Sequence, residues 1–158
     1  MRFPLVSIAA AAALLAGFGT AATADPLAPS PLACTTLNCG AISLPGRLNG
    51  HPPGLGNQWI TQIAGTAGNC LRLDVTSESQ DLAMSAVAPS GVVFTNDNGG
   101  SPTCANCPRV VVAAAANGFY TVVIAQRSGA NVEAGFVLKV GLYKAGNRPN
   151  CVNPTKAR

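Results

Sequence analysis

The sequence predicts an all-β fold, an antiparallel β-sandwich or jelly-roll variant of about eight strands, and three observations support this. Between Cys70 and Tyr143, short runs rich in Val, Leu, Ile and aromatic residues alternate with polar ones. Clusters of Gly, Pro, Asn, Asp and Ser separate these runs at spacings of roughly 8 to 15 residues, as in half-buried antiparallel strands and their turns. No helical periodicity survives beyond the N-terminal segment, which excludes parallel βαβ units with their helical crossovers.

Residues 1–24 read as an export signal, with Arg2 as the basic start, an apolar stretch from Leu5 to Phe18, and Ala22-Thr23-Ala24 as a small-x-small cleavage site. The apolar stretch is Ala-rich and shorter than the roughly 20 residues that span a bilayer, so no membrane span is expected after cleavage. Cys34 lies too far beyond Ala24 to serve as a lipidated cysteine. The expected location is secreted or periplasmic, where disulfides persist. The formal charge of +4 falls to +3 when Arg2 leaves with the signal. The basic residues are scattered one at a time, whereas nucleic acid would need a basic stripe, so no nucleic-acid partner is expected.

Residues 25–38 form a Pro-rich leader that cannot hold a regular ladder. Residues 39–145 are the sandwich domain and residues 146–158 a C-terminal tail. The first strand, Gly40 to Leu48, is interrupted by Pro45-Gly46 and should be an edge or bent strand. A Pro-Gly loop containing His51, the only histidine, leads to a strand from Asn57 to Ile63 in which Trp59 is expected to anchor the core. Leu71, Leu73 and Val75 should share one face of the next strand, and Arg72, Asp74 and Thr76 the other. Ser77 to Gln80 reads as a polar turn in which Glu78 and Asp81 sit close together in solvent. Leu82 to Ala88 and Val92 to Thr95 should pair across Pro89-Ser90-Gly91. Arg109 to Ala115 and Phe119 to Gln126 flank Asn117-Gly118, the strongest hairpin signal in the chain. Ala134 to Tyr143 is the last strand.

The chemistry-bearing residues are few. Six cysteines, Cys34, Cys39, Cys70, Cys104, Cys107 and Cys151, allow fifteen pairings that sequence does not choose among. The working assignment is Cys34 with Cys39, Cys70 with Cys151 and Cys104 with Cys107. Cys104-Ala105-Asn106-Cys107 has the spacing of a redox pair, but such pairs open a helix behind a strand, and here Pro108 and strand residues follow. Zinc lacks ligands, since His51 stands alone in a loop. Asn96, Asp97 and Asp81, with Asp74 nearby, are calcium candidates, although the same letters form turns. No cofactor is otherwise expected. Hydrolysis by a serine nucleophile would need a Gly-x-Ser-x-Gly elbow, which the chain lacks.

In order along the chain come Pro45-Gly46 and Trp59, Ala67-Gly68 before Leu71 to Val75, and Asp81-Leu82 running to Pro89-Ser90-Gly91. Asn96-Asp97-Asn98, Gly118-Phe119-Tyr120-Thr121-Val122 and Gly135-Phe136-Val137-Leu138-Lys139-Val140 follow. This succession resembles the bacterial pre-peptidase C-terminal (PPC-like) domain, in a stand-alone secreted form, over about Gly40 to Tyr143. The resemblance implies a non-catalytic β-sandwich that aids secretion, solubility or attachment. Two features depart from it: there is no protease domain to serve, and the cysteines are more numerous. The expected function is a secreted binding or accessory module for another exported protein or an extracellular polymer. The alternatives are a thiol-disulfide redox protein using Cys104 and Cys107, and a structural cell-envelope protein.

Overall fold

Strand side chains alternate between two faces, so eight runs of alternating sequence bury one face each only by packing as two sheets. The computed structural model describes residues 39–50, 57–100, 103–146 and 150–158, without the side chains of residues 39–42 and 44. The strands are β1 (Cys39–Asn49), β2 (Gln58–Gly65), β3 (Asn69–Glu78), β4 (Leu82–Val87), β5 (Val93–Asn96), β6 (Arg109–Ala113), β7 (Gly118–Gln126) and β8 (Glu133–Lys144). They form two four-stranded sheets, in the orders β1-β8-β3-β6 and β2-β7-β4-β5, with every pairing antiparallel. No helix occurs among the described residues, and none is long and apolar enough to cross a membrane. The export signal, the Pro-rich leader, Cys34 and His51 lie outside the described residues.

The predicted faces meet in the core. Leu71, Leu73 and Val75 of β3 and Leu138 and Val140 of β8 are fully buried against Leu82, Met84, Val122 and Ile124 of the other sheet. Trp59 is buried and packs edge-on against Phe136, ring centroids 5.3 Å apart. β1 is an edge strand with an irregular register between Cys39 and Ile42, and it tolerates Pro45 because an edge strand leaves one side of its backbone unladdered. The Pro89-Ser90-Gly91 turn joins β4 to β5, closed by Ala88 N–H donating to the Val92 carbonyl (2.8 Å), with Gly91 at φ +85°.

One expected hairpin is not there. β6 pairs with β3 and β7 pairs with β2 and β4, so the chain crosses between sheets at Asn117-Gly118. Both sides of β7 are occupied by other strands, leaving no edge for β6. Asn117 instead ties two turns together, its Oδ1 accepting from Ala67 N–H at 2.8 Å. Gly118, at φ +141°, passes so close to Pro89 that a Cβ there would lie 2.7 Å from the proline ring.

The tail closes the seam between the sheets. Cys70–Cys151 fastens it to the start of β3, with Cα atoms 6.0 Å apart. Thr155 then exchanges hydrogen bonds with Val111 on β6, its N–H donating to the carbonyl at 2.8 Å and its hydroxyl accepting at 3.0 Å. Ala157 bridges to Phe94 and Arg158 N–H donates to the Val93 carbonyl at 2.9 Å. The edges of β5 and β6 are thus both engaged by one segment, which lowers the hazard of an open edge.

Candidate functional site

Two places collect unusual groups: one end of the sandwich, around Cys104, and the outer face of the second sheet. The first begins with a bulge. The β3–β8 register runs Leu71 opposite Leu142, Leu73 opposite Val140 and Val75 opposite Leu138, then shifts so that Ser77 meets Val137 and Glu78 meets Phe136. Residues paired across a ladder share a face, and an extra residue reverses the alternation beyond it. Strict alternation would put Glu78 outside with Arg72 and Asp74, but the bulge at Thr76 turns it to the side of the buried Phe136.

There Glu78 meets the Cys104–Cys107 disulfide, whose Cα atoms are 5.3 Å apart. A carboxylate oxygen and the two sulfurs lie within 4.8 Å of one another. Glu78 Oε2 is sealed from solvent and has no hydrogen-bond partner. Burial pushes the carboxyl up to about 7; the Asp81 charge adds to the rise and a backbone hydrogen bond at Leu82 opposes it. The sequence expectation of a solvated turn carboxylate is therefore corrected for Glu78. Cys107 is fully buried, whereas Cys104 is half-buried and lines a hollow of about 510 Å³ together with Glu78, Ser79, Gln80, Asp81, Ala105 and Asn106.

The loop around the bridge is held by its backbone. Gly99 N–H donates to the Ala105 carbonyl at 3.1 Å, Cys107 N–H to the Cys104 carbonyl at 3.2 Å, and Arg109 Nη2 to the Gly100 carbonyl at 2.7 Å. A Cβ on Gly100 would lie 2.5 Å from the Cys104 carbonyl oxygen, so only glycine allows this approach. The bridge leads into β6 rather than a helix, so no helix N-terminus stands behind its sulfurs.

The calcium candidates converge, but around an arginine. Arg127 Nε reaches Asp97 Oδ2 at 2.7 Å and its Nη1 reaches Asp81 Oδ2 at 3.3 Å. Asn96 Oδ1 accepts from the backbone of Asp97 and Asn98, at 2.9 and 3.2 Å, and its amide donates to the Arg109 carbonyl at 2.8 Å. Asp74, 8% exposed, is held by Arg72 and Arg109, each at 2.5 Å, and Arg72 also donates to Asn150 of the tail at 3.3 Å.

The two outer faces differ in charge. Alternation and register place Arg47, Arg72, Asp74, Arg109, Glu133 and Lys139 on the outside of the first sheet. On the second sheet the outward residues are Gln58, Ile60, Gln62 and Ala64 of β2; Phe119, Thr121, Val123 and Ala125 of β7; Ala83, Ser85 and Val87 of β4; and Val93 and Thr95 of β5. None of these carries a charge, and Phe119 is 59% exposed.

No protein-family model matches the chain, and no curated protein matches it. Among solved structures it is similar to PliG of Aeromonas hydrophila, a periplasmic lysozyme inhibitor of g-type lysozyme. The identity is 18% over 72% of this chain and 93% of that one, with a TM-score of 0.49. A likeness that remote assigns neither family nor function to this chain. Its disulfides are of the kind that form and persist in oxidising compartments, and the chain is accordingly a secreted or periplasmic protein.

Of the cysteines singled out by sequence, four form the expected Cys70–Cys151 and Cys104–Cys107 pairs. The pairing of Cys34 with Cys39 lies outside the described residues. Glu78 was missed as a partner of the Cys104–Cys107 bridge because a bulge leaves no mark in the letters. The charge-free face was legible in the alternating residues, once the strands were known to share a sheet.

Proposed function

We propose that this chain is an exported binding module, and that the outer face of the second sheet receives another exported protein. The observation that carries this reading is the lack of charge among the outward side chains of four adjacent strands, with Phe119 exposed near one end; Asp97, Arg127 and Arg158 border the face only beside Ala83, Ser85 and Thr95. Charged residues are depleted at the centres of protein interfaces, because a charge buried there must be paired or desolvated at a cost. An exposed β-sheet face rich in Val, Ile, Ala and Thr has more to gain from a protein surface than from water. The ordered motifs that resemble the PPC-like domain support the same reading, since that family serves as an appendage to other exported proteins.

A photo-crosslinking residue placed at Gln62, with the same residue at Lys139 on the opposite face as control, tests it in the native periplasm and medium. The expected outcome is one dominant protein adduct from position 62 and none from 139. Phe119→Lys and Ala64→Lys should cut that yield at least about tenfold while leaving the urea midpoint unchanged, as exposed substitutions do. Equal adducts from both faces, or retention on an extracellular polymer that Phe119→Lys does not weaken, would overturn the assignment.

A further inference from the structure

We infer that Cys104–Cys107 is an exchange-active disulfide, opened by a dithiol at Cys104, with Glu78 as the group that moves the proton. The inference goes beyond the binding reading and rests on different residues, so the two fail separately.

Three features of the site support it. Accessibility differs between the sulfurs: Cys104 lines the open hollow, while Cys107 is fully buried beneath it. An incoming thiolate therefore meets Cys104, and Cys107 is the leaving sulfur. The carboxyl of Glu78 lies within 4.8 Å of both sulfurs, close enough to reach the leaving thiolate directly or through one water. It also has one oxygen that is sealed and unpartnered, a costly arrangement for a group whose only role is structural. By contrast, Cys70–Cys151 has no carboxylate or further cysteine grouped with its two sulfurs among the described residues.

The step balances without an outside proton. One thiolate of the dithiol attacks Cys104 Sγ, forming a mixed disulfide and breaking the Cys104–Cys107 bond. The electron pair goes to Cys107 Sγ, which takes the proton of Glu78. The carboxylate so formed accepts the proton of the second thiol, whose sulfur attacks the first sulfur of the dithiol and releases Cys104 as thiolate. The dithiol ends oxidised, the protein pair reduced and Glu78 protonated again. Run backwards, the same steps reduce an external disulfide.

A burial-raised carboxyl that titrates near 7 makes the exchange pH-dependent. Below that point Glu78 carries the proton to be delivered; above it the site offers a negative charge to an incoming thiolate. The full-length mature protein is treated with dithiothreitol from pH 5.5 to 8.5, and opening of each bridge is followed by alkylation and peptide mass spectrometry. The rate is divided by the thiolate concentration at each pH. Cys104–Cys107 should open at least about tenfold faster than Cys70–Cys151, with the per-thiolate rate falling through pH about 7.

Glu78→Gln, which keeps the shape and loses the proton, should flatten that profile and slow opening at pH 6 by roughly tenfold. Cys107→Ser should leave Cys104 to be trapped as a mixed disulfide by an aromatic disulfide reagent, whereas Cys104→Ser should leave Cys107 largely unreacted. Identical per-thiolate profiles for wild type and Glu78→Gln would overturn the role of Glu78. Opening no faster than at Cys70–Cys151, or trapping at Cys107 in preference to Cys104, would overturn the exchange site itself.

Discussion

The two described disulfides use the same bond for different ends. Cys70–Cys151 joins residues 81 apart and fastens the tail across the seam, beside the Arg72–Asp74–Arg109 cluster. Cys104–Cys107 joins residues three apart, in a loop that its own backbone hydrogen bonds and Arg109 already hold. Closing a long loop removes far more freedom from the unfolded chain than closing a short one, roughly 4.5 against 2 kcal/mol in the chain-entropy picture. The short bridge therefore adds less stability, and it alone has a titrating carboxyl beside its sulfurs. Sequence separation decides what a disulfide does for the fold, and its neighbours decide its reactivity.

The largest effect should come from the long bridge. Replacing Cys70 and Cys151 together by Ser should cost about 4 kcal/mol in urea unfolding and expose the tail beyond residue 151 to proteases. Asp74→Asn is next, with an expected loss of about 2–3 kcal/mol. It leaves two half-buried guanidinium groups without their counter-charge, a case between exposed and fully buried ion pairs. Replacing Cys104 and Cys107 together by Ser should cost no more than about 2 kcal/mol, and a loss equal to that of the long bridge would erase the distinction between them.

The smallest effect is one of slope. The Glu78 carboxyl is raised from 4.5 to about 7, chiefly by burial, so the folded state favours the protonated form. Its contribution is fully present below pH 4.5, where both states are protonated, and is lost as pH rises through about 7, where folding must bury the charge. Glu78→Gln should therefore remove part of the decline in stability between those values and be the more stable protein at pH 8. A parallel pair of stability curves would show that Glu78 is not desolvated as described.

Much of this architecture was legible beforehand. Leu71, Leu73 and Val75 announced their shared face by alternation, and Pro89-Ser90-Gly91 announced its turn by chemistry, because both signals are local. Asn117-Gly118 misled for the same reason: it has the local chemistry of a two-residue turn, yet whether two strands pair depends on which edges are free. β2 and β4 flank β7 on both sides. Asp81 and Asp97, expected together as calcium candidates, meet at Arg127, which is 46 residues from one and 30 from the other in sequence and was visible only as a scattered charge.

By itself the sequence determined an exported chain, strands of period two, the core face of each strand, and a set of cysteines ready to be paired. Each of these follows from composition or from the geometry of a few neighbouring residues. The tertiary structure alone decided which strands share a sheet, that the tail spans β5 and β6, and that four strands together turn only uncharged side chains to one face. It also decided that a bulge opposite β8 turns Glu78 inward onto the Cys104–Cys107 bridge. Those outcomes depend on register and edge occupancy, which arise from contacts among distant segments and have no counterpart in any short run of residues.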